Sequence, residues 1–133
     1  MSTSIGVPLT PGLLVCPYPA GRELLARFFR ALGDPTRLRL LALCATAERT
    51  GTECVAEAAL SQGRVSAHLA CLVDCGLLSV RRHGRYASYH VADPRVTELV
   101  TTAAAMVADH TASIAACARV GLLSASTNHG TRA

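Results

Sequence analysis

The sequence predicts a mainly α-helical chain with one small β-hairpin, arranged as a winged helix-turn-helix. Half of the 133 residues are hydrophobic, but only 4% are aromatic and Trp is absent. Leu, Val and Ala must therefore build the core, which favours helices over a large sheet. Two short helical segments flank a tight turn at Leu60, which is the pattern of a helix-turn-helix. Beyond them the hydrophobic period changes to two on either side of Gly84, which is typical of a hairpin.

Charge and composition restrict the class of function. The net charge is +4, and all 13 Lys or Arg positions hold Arg, a mildly basic surface that is compatible with phosphate binding. The lack of Lys excludes a Walker-type nucleotide-binding loop. The sequence also lacks the pair of carboxylates that would indicate an enzyme pocket. Because the chain has neither a secretory signal nor an apolar run of about 18 residues, we expect a cytoplasmic protein with no membrane partner.

Composition divides the chain into three segments. Residues 1–19 are rich in Pro and contain Cys16, which predicts a flexible N-terminal arm. Residues 20–120 carry the helical and hairpin patterns and are expected to form one DNA-binding and dimerisation domain. Residues 121–133 are mainly Ser, Thr, Asn, Gly and Arg, which predicts a disordered tail.

Two helices are predicted at the start of the domain. The first covers about 22–32 and stops at Gly33. Its buried stripe is predicted to be formed by apolar residues at helical spacing, namely Leu24, Leu25, Phe28, Phe29 and Leu32. The second begins with Asp34 as its cap and Pro35 at its first position, and runs to about Ala47. Its core-facing residues are expected to be Leu38, Leu41 and Cys44.

The functional prediction depends on the helix between Ser61 and Gly76. A short helix over 53–59 precedes it across the turn. Ser61 is expected to cap its N-terminus, and Gly76 is expected to end it in the left-handed conformation. One apolar stripe faces the core, made of Val65, Leu69 and Leu72.

The two ends of this helix carry different chemistry. Its first turns present polar side chains that suit base edges and phosphates, and we predict DNA contacts at Ser61, Gln62, Arg64, Ser66 and His68. Cys71 and Cys75 are one turn apart, with Cβ atoms about 5–6 Å from each other, which suits a soft metal ion. Two alternatives remain open, since the thiols could simply pack in the core or could form a disulfide that senses oxidants.

A basic β-hairpin is predicted beyond this helix. Apolar and polar residues alternate over 78–80 and 86–91, and Gly84 supplies the turn between these strands. The tip carries three Arg and His83 with no acidic residue nearby in the sequence, so these charges repel one another unless an anion or solvent neutralises them. Beside a helix-turn-helix such a hairpin is a wing, and we predict DNA contacts at Arg81, Arg82 and Arg85.

The last predicted helix starts at Asp93-Pro94 and runs to about Ala118. The positions on its apolar side alternate in spacing between four and three, which is typical of a seam that pairs with another helix. These residues are Val96, Val100, Ala103, Val107, His110, Ile114 and Cys117. A two-fold reader of double-stranded operator DNA needs two copies, so we expect a homodimer built on the N- and C-terminal helices.

Four stretches resemble the ArsR/SmtB family of winged-helix metal-sensing repressors. They are residues 32–41, 60–69, 72–78 and the wing 81–89, and the resemblance covers roughly 22–118. It implies a repressor that binds its operator without metal and leaves it when metal binds.

The cysteines are similar to those of one subclass within that family. Cys71 and Cys75, followed by Gly-Leu, resemble the motif of CmtR-type cadmium and lead sensors, whose third thiolate comes from the other subunit. Cys117 stands at about the matching place. The resemblance implies a site of Cys71, Cys75 and Cys117 for Cd(II), Pb(II) or Hg(II), which would also accept As(III), with Cys16 and Cys54 as candidate additional ligands. Repressors of this fold that respond to arsenic, antimony or thiol oxidation are the alternative, as is a metal-independent DNA-binding module.

Overall fold

The computed structural model describes residues 21–120. The arm expected at 1–19, with Cys16, and the tail expected at 121–133 lie outside the described residues. The chain divides into two compact units, the first ending at Asp93 and the second beginning at Pro94. The elements in chain order are α1 (Gly21–Leu32), α2 (Pro35–Thr46), β1 (Arg49–Thr50), α3 (Gly51–Ala58), α4 (Gln62–Asp74), β2 (Leu78–His83), β3 (Tyr86–Val91), α5 (Pro94–Asp109) and α6 (Thr111–Ala115).

The first unit is a winged helix-turn-helix, as predicted. Helices α3 and α4 are joined by a tight turn in which Ala59 has a φ of 55°. Strands β2 and β3 form the antiparallel wing, whose two-residue turn holds Gly84 at a φ of 58°, the position that glycine occupies in a type II′ turn. Strand β1 pairs with β3, so the sheet order is β1-β3-β2. The sequence did not predict β1, because two residues are too short to show alternation.

The ends of the helices are set by local hydrogen bonds. Asp34 accepts from the amide of Arg37 at 3.0 Å and caps α2. Thr50 and Glu53 form a capping box, so α3 begins at Gly51 and not at the predicted Glu53. Ser61 accepts from the amide of Arg64 at 3.3 Å and caps α4 as predicted.

The C-terminal end of α4 is a Schellman motif. The amide of Leu77 donates to the Leu72 carbonyl at 2.9 Å, and the amide of Gly76 donates to the Val73 carbonyl at 3.0 Å. Gly76 has a φ of 78°, which confirms its predicted role. Leu77 is fully buried, so the residue after the glycine anchors the end of α4 in the core.

The core of the first unit follows the predicted apolar stripes with one correction. The stripe of α4 is buried as predicted, and so are Leu41 and Cys44 of α2. Leu38 was expected to be buried but is 39% exposed, whereas Leu40 is fully buried. At roughly 100° per residue, Leu38 lies about 110° around the helix from the centre of the face formed by Leu40, Leu41 and Cys44.

The predicted stripe of α1 is largely exposed in the described part of the chain. Leu24 is 52% exposed and Phe29 is 51% exposed, and Leu25 is exposed as well. Of the residues of α1, Gly21 and Ala31 are buried. The helix packs on α2, but residues 21–120 leave most of its apolar stripe uncovered.

The predicted long C-terminal helix is wrong in its second half. Helix α5 ends at Asp109, and His110 leaves the helical conformation with φ −133° and ψ 27°. The hydroxyl of Thr111 donates to the Val107 carbonyl at 2.9 Å, a side-chain bond that competes with the helical ladder. Cys117 therefore lies after α6 and not on the long helix. Within the described part of the chain, no helix has the length and apolarity needed to cross a membrane.

The guanidinium group of Arg37 ties α1 and α4 to α2. Its Nε donates to the Ala31 carbonyl at 2.6 Å, and its Nη2 donates to the Arg30 carbonyl at 3.1 Å. Its Nη1 lies 3.2 Å from Nδ1 of His68 on α4. One partly buried cation thus adds a charged donor to two carbonyls at the C-terminal end of α1.

We expect Arg37→Ala to lower the free energy of unfolding by about 1–3 kcal/mol, because it removes the charged donor from the partly buried hydrogen bond to the Ala31 carbonyl. Arg39→Ala on the same helix is the matched control, since its pair with Glu57 is exposed and should contribute at most about 0.5 kcal/mol. Urea unfolding at one fixed protein concentration measures both. Equal losses in the two variants would contradict the role given to Arg37.

Candidate DNA-binding surface and metal centre

The first turns of α4 place polar side chains at the surface. Gln62, Arg64 and Ser66 are exposed, because the buried stripe of Val65 and Leu69 turns the opposite face of the helix outwards. The hydroxyl of Ser61 is already used as the helix cap. This surface can donate to phosphates and to base edges, as a helix lying in a major groove does.

The wing, α3 and α4 line an open cleft of about 330 Å³. Four of the predicted DNA-contacting residues line it, namely Gln62 and Ser66 from α4 and Arg82 and Arg85 from the wing. The structure therefore brings together side chains that are about twenty residues apart in the sequence. Within residues 21–120, neither of these arginines forms an ion pair with a carboxylate, so both remain available to phosphate.

The wing pairs with an acidic residue from outside the hairpin, which the sequence pattern did not predict. Glu48, which precedes β1, lies 3.8 Å from Nε of Arg81 and 3.7 Å from Nε2 of His83, and it accepts a hydrogen bond from the hydroxyl of buried Ser88. The expectation of unneutralised charges on the hairpin is therefore wrong at Arg81, because β1 brings Glu48 against the sheet. The Ser88 hydrogen bond, with Arg81, His83 and His90, lowers the pKa of Glu48, so this carboxylate is charged at neutral pH.

His68 lies between the two ends of α4 and is only partly exposed. Its Nδ1 faces Arg37 at 3.2 Å, so one ring nitrogen is engaged within the chain. Any contact of His68 with DNA would therefore use Nε2, its other ring nitrogen.

Cys71 and Cys75 form a thiol pair at the C-terminal end of α4. Both are partly buried, and Cys75 is the C-cap residue whose amide donates to the Cys71 carbonyl at 3.0 Å. Burial raises the pKa of Cys75, the neighbouring Cys71 and Asp74 raise it further, and Arg37 opposes them. Two adjacent sulfur donors fit a soft cation, which must displace the Cys75 proton in order to bind.

A third donor is not supplied beside this pair by the described residues of one chain. No group of three or more His, Cys, Asp or Glu side chains within 21–120 is arranged to hold a metal ion. Cys117 belongs to the second unit and is partly exposed, with its amide donating to the Ile114 carbonyl at 3.2 Å. Cys16 lies outside the described residues.

Cys54, a candidate additional ligand, occupies a different site. It is fully buried, and the interaction with the buried thiol of Cys44 lowers its pKa. The sequence predicted packing for Cys44, which is buried as expected.

A protein-family model described as bacterial regulatory protein, arsR family, matches residues 34–80 of this chain. This stretch runs from the cap of α2 through the helix-turn-helix to the start of the wing, so it includes both ends of α4.

Relatives of known name match more of the chain. A probable mercury resistance operon repressor from Streptomyces lividans is 51% identical over 105 residues, which are 79% of this chain and 82% of that protein. The transcriptional regulator CmtR from Mycobacterium bovis is 41% identical over 69 residues, which are 52% of this chain and 58% of that protein.

Solved structures share the fold. The crystal structure of Rv0081 from M. tuberculosis has a TM-score of 0.67 at 29% identity, covering 74% of this chain and 99% of that one. A homodimeric winged helix-turn-helix domain from M. bovis, determined by solution NMR, has a TM-score of 0.62 at 28% identity, covering 67% of this chain and 82% of that one.

We expect the affinity of the thiol pair for Cd(II) to rise with pH, since the raised pKa of Cys75 means that binding displaces its proton throughout the neutral range. Each displaced proton should contribute about a tenfold gain per pH unit. Competition titrations between about pH 6 and 8, read by thiolate-to-metal absorption, measure the slope. Cys75→Ser should lower the slope by about one, and a pH-independent affinity would contradict this assignment.

Proposed function

Because this chain belongs to the ArsR family of bacterial regulatory proteins, we propose that it is a metal-responsive repressor that binds operator DNA as a homodimer without metal and is released by a soft heavy-metal ion. Its family and relatives are DNA-binding transcriptional regulators and not enzymes. The observation that carries the proposal is that α4 bears exposed polar side chains at one end and the Cys71–Cys75 pair at the other.

Hg(II) is the effector that we favour, followed by Cd(II) and Pb(II). Support comes from the 51% identity with a protein named as a probable mercury resistance operon repressor. Thiolates suit all three ions and disfavour hard cations such as Mg(II). The regulated genes would then confer resistance to the ion that releases the repressor.

The third thiolate is proposed to come from Cys117 of a second copy of the chain. Exposed apolar side chains on α1 and α5, including Leu24, Phe29 and Met106, support association with such a copy, because apolar patches of this kind mark interaction surfaces. The solution structure of the related M. bovis domain is a homodimer. Two copies would also place two α4 helices for a two-fold operator.

Operator binding and metal binding are coupled through α4. Cys71 and Cys75 lie in its last turn and C-cap, about three turns from Gln62. When their protons are replaced by a metal ion that also holds the partner's C-terminal region, the orientation of α4 relative to its partner is constrained. If that orientation does not fit the operator, metal and DNA oppose each other with a coupling free energy of about 1–3 kcal/mol.

We expect Hg(II) to weaken operator binding of the native protein by about 5- to 150-fold, the range that this coupling implies. Replacing Cys71→Ser together with Cys75→Ser should remove most of that effect while leaving metal-free binding intact. Fluorescence anisotropy with operator DNA, repeated with Cd(II), Pb(II) and As(III), measures both.

Two outcomes would redirect this proposal. Release of the double variant by Hg(II) as readily as the native protein would show that the effector site lies elsewhere. Release by a peroxide without metal, reversed by a thiol reductant, would favour the redox-sensing alternative, since neighbouring thiols can also form a disulfide.

We expect Arg64→Ala to cost about 1–3 kcal/mol of operator affinity, because Arg64 is the basic side chain in the first turn of α4. Arg82→Ala should lower the salt dependence of binding by about one unit, as expected for a lost phosphate contact. Arg39→Ala on α2 is the control, because that side chain pairs with Glu57. An unchanged salt dependence for Arg82→Ala would exclude the wing contact at that residue.

A further inference from the structure

One carboxylate contacts both strands of the wing from outside the hairpin. Glu48 immediately precedes β1, and its Oε2 accepts a hydrogen bond from the hydroxyl of Ser88 on β3, the central strand of the sheet. The same oxygen lies 3.8 Å from Nε of Arg81 and 3.7 Å from Nε2 of His83, both on β2. Glu48 therefore joins the start of β1 to the whole width of the wing.

The hydrogen bonds at Ser88 hold this carboxylate in place. Ser88 is 5% exposed, and because its hydroxyl donates to Glu48, its oxygen can accept from Nε2 of His83 at 3.2 Å. This chain of bonds needs a proton on Nε2, which neutral and charged imidazole can both supply. The Ser88 hydrogen bond also lowers the pKa of Glu48, so the carboxylate keeps its negative charge at neutral pH.

The two faces of the wing consequently differ in charge. Successive residues of a strand point to opposite faces, so Arg81 lies on the face of Glu48 and Arg82 lies on the other. Arg82 is opposite Ala87 in the register, and both line the cleft beside α4. Since Arg82 forms no ion pair with a carboxylate among the described residues, the cleft face keeps its positive charge.

On the face of Glu48 the charges nearly cancel. The electrostatic neighbours of this carboxylate are Arg81, His83 and His90. The guanidinium of Arg49, the next residue in the chain, is engaged at the end of α2 through hydrogen bonds of 3.4 and 2.9 Å. A phosphate that approaches this face therefore meets a carboxylate as well as a cation, and like charges placed together suppress unwanted binding modes.

We propose that Glu48 is a positioning residue that sets DNA-binding specificity by determining which face of the wing binds the duplex. It balances Arg81 and holds the wing against β1, so that the cleft face with Arg82 docks alongside α4. Arg81, for which the sequence predicted a DNA contact, is then the internal partner of Glu48 in the operator complex. The inference rests on the proposed operator binding and adds to it a residue that touches no DNA.

The test uses the metal-free full chain with Glu48→Gln, which keeps an oxygen acceptor for Ser88 but removes the negative charge. Fluorescence anisotropy compares operator DNA with a scrambled duplex of the same length and composition over a range of salt concentrations. We expect scrambled DNA to bind about 3- to 10-fold more tightly at low salt, with a salt dependence steeper by about one unit, because the released Arg81 neutralises one phosphate. Operator affinity should stay near the native value, so discrimination falls by the same factor.

The matched control is Glu57→Gln, which removes an exposed carboxylate 3.4 Å from Arg39 on α2 and should leave discrimination unchanged. Adding Arg81→Ala to Glu48→Gln should return the salt dependence on scrambled DNA to the native value. A purely structural role for Glu48 would weaken binding to both duplexes without steepening the salt dependence. Circular dichroism and urea unfolding establish that each variant is folded under the binding conditions.

Two results would overturn the inference. One is a folded Glu48→Gln variant that discriminates as well as the native chain. The other is Arg81→Ala by itself lowering the salt dependence of operator binding by about one unit, as a phosphate contact would, and this variant decides the matter even if Glu48→Gln does not fold. Native protein that prefers its operator and is released by Hg(II), alongside either result, would refute the role of Glu48 and leave the proposed function standing. Native protein without that preference would contradict the proposed function itself.

Discussion

The burial of one apolar stripe of α4 is the constraint on which the functional surfaces depend. Val65, Leu69 and Leu72 lie in the core, and the Schellman motif brings Leu77 in after them. With that face fixed, the polar residues of the first turn must point outwards and the two thiols of the last turn must lie at its flank. Arg37 adds a second constraint, since it ties the partly exposed face of α4 at His68 to the end of α1.

Electrostatics divide the wing into two parts. Glu48 is held against Arg81, His83 and Ser88 at the sheet, so the charge of Arg81 is partly balanced before any DNA arrives. Arg82 and Arg85 line the cleft beside α4 and keep their charge available. Phosphate binding should therefore be concentrated at the cleft, and the sheet beneath it gains a network of hydrogen bonds and ion pairs that keeps the wing in position.

The cysteines differ in environment more than in chemistry. Cys71 and Cys75 are partly exposed and close to the charges of Asp74 and Arg37, which favours ready exchange with ions in solution. Cys44 and Cys54 are buried in the core, where they are not exposed to ions in solution. Burial therefore separates the pair that can serve a metal centre from the cysteines that pack inside the fold.

The sequence by itself determined the winged helix-turn-helix, the caps of α2 and α4, and the spacing of Cys71 and Cys75. It also determined that Gly76 ends α4 and that Gly84 forms the hairpin turn. Each of these features depends on residues within about one or two turns of one another. It misplaced Leu38, the stripe of α1 and the course of the chain after Asp109, since burial depends on which surfaces meet and a hydroxyl at Thr111 can interrupt an otherwise regular pattern. Only the tertiary structure decided that Glu48 pairs with Arg81 and that Arg37 joins three helices. These contacts join residues on different elements, and the packing of the core, which no local spacing encodes, brings them together.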